Sequence, residues 1–441
     1  MNLNTLRTFR HEVYGSFTRA GDALFNTLDA LVTETAAQSF AELSLSPCFE
    51  RHWSSLYEAF EDGRIERERL QAALLHALPL PAPGERLLWG IDTSNIARPE
   101  AKTSRDRTPL HVPNLPHSHG TALTVGWRFS TLVVLAPRAS SWVYWVDSRR
   151  VSSAQTPGEV AAAQIREVAA QVPAGLHSTL LGDRAYPSVP VLLALAHAEM
   201  DGLLRCPCNR VFYRVAPPPT GKRGAPRKDG ERFACHEPTT QGPPDERWDG
   251  TDETEHPITV ECWQHLHLKQ ARALELSVLR VTCHDAPDTQ RQPRVSWYIW
   301  LGRELLPLAE VRPTYRCRYG MEHGYRFRKQ RLLWDEPRLR TPEQMERWTQ
   351  IVGLASNHLV LARSLVQVHR LPWERATRPV TPQQVRRGMA PILALLGTPA
   401  RPPKPRGKSP GRAKGATILP AQRYPVVKKP KPPPKTPRPS A

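Results

Sequence analysis

The hydrophobic positions of this chain change period along its length. Over Ser16–Thr33 and Phe49–Leu78 they recur every three or four residues, with Leu56 and Phe60, then Leu70, Leu74 and Leu75, on common faces. That spacing predicts amphipathic helices. Pro79, Pro81, Pro83 and Gly84 close the region. Four short apolar runs follow at Arg86–Asp92, Thr121–Phe129, Thr131–Leu135 and Trp142–Val146. Their aromatic and β-branched residues favour strands. A polar loop, Asn95–Gly120, separates the first two runs. Thr156-Pro-Gly-Glu159 is a helix start, with Thr as N-cap and Glu three residues on, and predicts a helix to about Gln171. Ser178–Gly182 reads as a buried strand ending at Asp183, Val189–Ala198 as a helix and Gly202–Arg205 as a strand.

The order is β-β-β-β-α-β-α-β, which predicts an α/β fold: a mixed sheet with flanking helices. Residues 206–294 break the pattern with Ala216–Pro219, the basic stretch Gly221–Lys228 and the polar stretch Gln241–Glu255. They read as a β-rich insertion of short strands and basic loops, outside the central sheet. Val295–Leu301 returns to strand. A helical region runs from Thr314 to Val366, interrupted near Pro337 and Pro342, and a short helix lies within Pro382–Leu396. The expected divisions are a helical N-terminal region (1–85) that contacts DNA or packs on the rest, a first catalytic part (86–205), the insertion (206–294), a second catalytic part (295–370), a helical segment (371–400) and a disordered tail (401–441).

Charge sharpens this picture. The 441 residues carry 61 Lys/Arg against 42 Asp/Glu, a net +19. Residues 401–441 hold 12 of the cations, 12 prolines and no acid, so the rest of the chain is only mildly basic. Such a tail has too little apolar surface to fold alone, and its charge favours a polyanion partner. No apolar run approaches the roughly 18 residues that span a bilayer. The N-terminus lacks a basic stretch leading into an apolar core, so no secretion signal is expected. Seven cysteines, an odd number, fit a reducing cytoplasm better than a disulfide framework.

The segment richest in chemistry is Tyr315–Lys329, YRCRYGMEHGYRFRK. At about 100° per residue, a helix puts Tyr315, Arg318, Glu322 and Lys329 in one stripe about 60° wide and roughly 21 Å long. A core-facing stripe is apolar, whereas this one offers an aromatic ring, a guanidinium, a carboxylate and an ammonium. The spacing Tyr-x2-Arg-x3-Glu-x6-Lys resembles the Y-R-E-K signature of bacterial insertion-sequence transposases of the DDE type. Asp92 in GIDTS and Asp183 in LLGDRAYPS match the positions of that family's two catalytic aspartates, and Glu322 matches its glutamate.

The resemblance covers residues 86–367 and implies an RNase H-like catalytic domain, similar to that of retroviral integrases. There the first Asp lies on the first strand, the second follows the fourth strand, and a β-rich insertion often precedes the Glu. It implies cut-and-paste DNA transposition: metal-dependent phosphodiester hydrolysis at transposon ends, then strand transfer into target DNA. Asp92, Asp183 and Glu322 would hold two Mg²⁺ ions, with Mn²⁺ as a substitute, since hard cations favour oxygen ligands and two of them serve both the attacking and the leaving oxygen. Tyr315, Arg318 and Lys329 would hold the DNA-end backbone. The implied partners are transposon-end and target DNA and a second copy of the chain on DNA, with no membrane, in the bacterial cytoplasm at the nucleoid. A nuclease of the same fold without strand transfer, and an inactive transposase-derived DNA-binding protein, are the alternatives.

Asp147 and Asp106 compete with Asp92 for the first position. Cys206 and Cys208, with Cys262, His265 and His267, weigh as a zinc site against plain buried thiols, which the spacing favours. Arg326 and Arg328 read equally as phosphate contacts or surface charges, and Gly221–Lys228 equally as a DNA contact or a solvated hairpin tip.

Overall fold

The computed structural model describes residues 2–441 apart from 112–122, 139, 174, 219–224, 254, 286–293, 406–410, 412, 418 and 429–441. Part of the polar loop, the start of the Thr121 run, half of the Gly221–Lys228 stretch and the end of the tail therefore lie outside the described residues. Helices α1 (Leu3–Gly15), α2 (Gly21–Thr33), α3 (Trp53–Asp62) and α4 (Arg67–His76) open the chain, tied by a ribbon of β1 (Phe17–Arg19) and β2 (Arg64–Ile65). Then come β3 (Leu87–Ala97), β4 (Thr108–His111), β5 (Leu123–Leu135), β6 (Val143–Val151), α5 (Pro157–Ala169), β7 (Ser178–Gly182), α6 (Val189–His197) and β8 (Asp201–Cys206). Next are β9 (Val211–Arg214), β10 (Arg232–Ala234), β11 (Glu246–Thr251), β12 (Pro257–Leu268), β13 (Ala271–Cys283) and β14 (Val295–Leu301). Helices α7 (Leu308–Arg316), α8 (Tyr319–Gln330), α9 (Pro342–Ala362), α10 (Pro382–Arg387) and α11 (Met389–Leu396) follow.

The two apolar runs expected on either side of Ser130 are one strand, β5. The polar loop after Asp92 is shorter than expected, because β3 continues to Ala97 and β4 pairs with the start of β5. At the centre β3 pairs antiparallel with β5 and parallel with β7, β5 pairs with β6, and β7 runs parallel to β8. The fold is a mixed α/β one with a large sheet and flanking helices. The expected capping box of α5 forms: Glu159 N donates to Thr156 Oγ1 at 3.2 Å and Thr156 N donates to Glu159 Oε2 at 2.7 Å.

The insertion is not outside the sheet. β14 joins β8, β13 joins β14 and β12 joins β13, so among the described residues the region extends the central sheet to 12 strands. Polar residues had masked β12 and β13 in the pattern. Two of them have partners: Glu261 Oε2 accepts from Arg280 Nε across the ladder at 2.6 Å, and His267 Nε2 lies 3.1 Å from Oδ1 of Asp229, in the loop before β10. The expected helix from Thr314 also differs. Helical structure begins earlier, at Leu308, and runs through Pro313 before it breaks.

Helices α7, α8 and α9 cover one face of the sheet, and α5 and α6 the other. Gly90 of β3 lets α8 lie close, since a Cβ there would sit 2.8 Å from Met321 Sδ. On α9, Asn357 accepts from Trp145 N and donates to Trp145 O, both at 2.7 Å, which satisfies the backbone of strand β6. The N-terminal helices pack on α9 and share one hydrophobic core with the sheet and with α11. No helix among the described residues is long and apolar enough to cross a membrane. The described tail has neither helix nor strand. It is nonetheless anchored, because Tyr424 N donates to Lys102 O at 2.9 Å and Val427 N to Arg107 O at 2.8 Å.

The seam between α1 and α9 carries an acid-sensitive group. His358 is fully buried against Phe9, with Nδ1 2.8 Å from Leu354 O, and burial, aided by the nearby charge of Arg10, lowers its pKa to about 3. The unfolded chain takes up this proton near pH 6.5 and the native state does not, so stability is full above pH 6.5 and falls as pH drops toward 3. Between pH 6.5 and 4.5 this one residue should cost about 2–3 kcal/mol. Urea melts across that range should show a flatter pH dependence for His358→Leu than for the wild type; equal slopes would rule the residue out.

Candidate functional site

Strand register brings the two aspartates together. Gly90 pairs with Leu181 and Ile91 with Gly182 along the parallel β3–β7 ladder. One step further sets Asp92 beside Asp183 at the end of β7, on strands about 4.8 Å apart. Each carboxylate is steadied by its own backbone: Thr93 N donates to Asp92 Oδ1 at 2.7 Å and Ala185 N to Asp183 Oδ1 at 2.9 Å.

The Tyr-Arg-Glu-Lys stripe is not on one straight helix. Between α7 and α8 the hydrogen bonds run three residues back, from Cys317 N to Thr314 O and from Arg318 N to Tyr315 O, both at 3.1 Å. This 3₁₀-like joint winds more tightly than an α-helix. Pro313 and Gly320 lie on either side of it.

Tyr315, Arg318 and Lys329 still reach the aspartate strands. Tyr315 packs edge-on against Tyr298, and its hydroxyl lies 3.4 Å from Gly182 O, next to Asp183. Arg318 Nη2 donates to Asp92 Oδ2 at 2.8 Å, while its Nη1 lies 3.9 Å from Glu322 Oε1. Lys329 Nζ donates to Asn95 O at 2.9 Å. Glu322 is the open member of the group, its side chain 52% exposed against 16% for Asp92 and 12% for Arg318.

Sequence reasoning missed Tyr325, whose hydroxyl donates to Asp92 O at 2.9 Å while its ring stacks on Trp334. The signal was available, since position 325 lies about 60° from Glu322 on the helix wheel, at the edge of the stripe.

The electrostatics match this geometry. Burial raises the Asp92 pKa to about 6; Arg318 opposes the rise, while Asp183 and Glu322 add to it. The three carboxylates thus feel one another, as a shared cation site requires. Burial works against the charge of Arg318, but Asp92, Tyr315, Asp183 and Glu322 together outweigh it and raise the pKa of the guanidinium. Burial lowers the pKa of Lys329 and raises that of the Tyr315 hydroxyl.

The competing acids are engaged elsewhere. Asp147 pairs with Leu132, whereas Asp92 pairs with Thr131, so their side chains point to opposite faces of the sheet. Asp147 is held by Arg67 at 3.0 Å, Arg149 at 2.6 Å and Gln164 at 3.0 Å. Asp106 is bound by Arg150 and Ser153 N. His265 and His267 turn to Glu275 and Asp229, and Cys206, Cys235 and Cys262 are buried free thiols. Arg328 is buried over the Tyr325 and Trp334 rings, whereas Arg326 is exposed.

Asp92, Asp183 and Glu322 offer the hard oxygen donors that a divalent cation takes. Among the described residues, no three His, Cys, Asp or Glu side chains are gathered tightly enough to hold an ion as they stand. At this site the cation between two of the acids is Arg318. The donor set therefore fits a metal in kind and in facing direction, with a guanidinium where the metal charge would act.

Comparison with curated proteins finds no match. Comparison with protein families matches residues 12–266 to the DDE superfamily endonucleases, a span that contains Asp92 and Asp183 and stops before Glu322. The match covers more than half of the chain, and the paired aspartates lie inside it: the chain belongs to the DDE superfamily endonuclease family.

Proposed function

We propose that this endonuclease is a DNA transposase with an RNase H-like catalytic core, cutting transposon ends and joining them to target DNA. The observation that carries this reading is the adjacent register that leads to Asp92 and Asp183 on neighbouring parallel strands, with Arg318 bonded to Asp92 and 3.9 Å from Glu322. The strand order β6–β5–β3–β7–β8 supports the core. Leaving aside the four-residue β4, Asp183 follows the fourth strand of the sheet, after β3, β5, β6 and β7.

Asp92, Asp183 and Glu322 would hold two Mg²⁺ ions, or Mn²⁺ in their place. Bound there, the ions supply an activated water and a neutralised leaving oxygen. The protein's own part is placement. Tyr315 and Tyr325 pin the strand backbone beside each aspartate, so the carboxylates are set before DNA arrives. Arg318 and Lys329 would present a bidentate and a point-charge donor for the DNA-end backbone. A second copy of the chain would hold the other DNA end.

The test is a cleavage assay with full-length protein and Mg²⁺ on DNA carrying the sequences that flank the gene, with a supercoiled target present. Nicks at the ends plus joined products support transposition. Cutting without joined products would make the protein a nuclease of the same superfamily, and binding without cutting would leave a DNA-binding derivative.

A further inference from the structure

Both oxygens of Asp92 are occupied, Oδ1 by Thr93 N at 2.7 Å and Oδ2 by Arg318 Nη2 at 2.8 Å. A cation cannot approach Asp92 Oδ2 while the guanidinium sits on it. Arg318 also leans toward Glu322, so a single buried side chain serves two of the three acids. Its rest position is incomplete, because the buried Nε–H has no hydrogen-bond partner. Two cations sharing a partly buried site repel strongly, since the protein screens charge far less than water does.

We propose that Arg318 is the built-in counterion of the unloaded site: divalent metal must displace it from Asp92, and the freed guanidinium then takes a DNA phosphate. This inference rests on the metal-site reading above. It makes metal and DNA cooperative ligands. The metal releases the fork that grips phosphate, and phosphate holds the fork away from the metal site. Linkage requires the coupling to be equal in both directions. The protein without DNA would thus hold metal weakly, which confines hydrolytic competence to the DNA complex.

The experiment measures free Mn²⁺ by electron paramagnetic resonance against full-length protein without DNA. Arg318→Gln should bind Mn²⁺ roughly ten-fold or more tightly than the wild type, because a cation beside the ligands is gone. Arg318→Lys keeps the charge but loses the fork and should fall between them, which also covers failure of the Gln variant to fold. A short random-sequence duplex should tighten Mn²⁺ binding to the wild type and leave Arg318→Gln unchanged. Equal Mn²⁺ affinity in wild type, Arg318→Lys and any folded Arg318→Gln, with no effect of duplex, would overturn the counterion role while leaving the metal site standing. If none of them binds Mn²⁺, or if Asp183→Asn binds it as well as the wild type, the metal-site reading itself fails.

Discussion

Asp183→Asn and Glu322→Gln should each reduce DNA cleavage by on the order of a thousand-fold or more, while DNA binding holds or improves slightly. Each swap removes an oxygen anion that would neutralise metal charge, the contribution to which hydrolysis is most sensitive. Each also removes a negative charge facing phosphate, so binding has no reason to weaken. These two positions make cleaner tests than Asp92. Asp92→Asn would also strip Arg318 of its ion pair and so change two things at once. Binding and cleavage should be measured on the same labelled duplex, over a range of Mg²⁺ concentrations. A Glu322→Gln protein that cuts at the wild-type rate would remove Glu322 from the mechanism, and a search for the third acid would then start from those facing Asp92 and Asp183. This is the weightier of the two tests, because the family match ends before Glu322 and its place rests on the Tyr-Arg-Glu-Lys spacing and the Arg318 contact.

Truncation of the tail should have the second large effect. Removing residues 406–441 takes away ten Lys/Arg and no acid. Each cation on a phosphate releases a counterion and adds about 0.9 to the salt slope of duplex binding, so even three such contacts are worth roughly 40-fold between 50 and 200 mM salt. The truncated protein should bind random-sequence duplex on the order of a hundred-fold more weakly at low salt, with a visibly flatter slope. The cut is best placed after Pro405, because Arg401 is built into the fold: its N–H donates to Asp22 at 2.9 Å and its carbonyl accepts from Arg51. A shorter truncation that removes only residues 429–441 takes four cations and spares the anchored Tyr424 and Val427. It should give a smaller change in the same direction. Unchanged slopes in both proteins would show that the tail does not touch DNA.

Much of this protein was legible along the chain. Local signals depend on near neighbours, so the Thr156–Glu159 helix start, the buried run ending at Asp183 and the Tyr-Arg-Glu-Lys spacing all read without a fold. Hydrophobic period reports which side of one element is buried; it is silent on which element covers that side. For that reason Asp147 could still compete with Asp92 as an acid at the end of an apolar run. Pairing register separated the two, because Asp92 opposite Thr131 and Asp147 opposite Leu132 face opposite ways. The same limit hid the insertion. Polar residues in β12 and β13 look solvent-facing until Arg280 is seen to answer Glu261 across the ladder, and Asp229 to answer His267 from the loop before β10. Sequence alone thus determined the element types, the order of the acids and the chemistry of the stripe. Tertiary structure decided what those side chains touch. The joint at Cys317–Arg318 and the close approach allowed by Gly90 put Arg318 on Asp92 and Tyr325 on its carbonyl, contacts between residues more than two hundred positions apart. Such contacts follow from how helices and strands pack, and no local period encodes them.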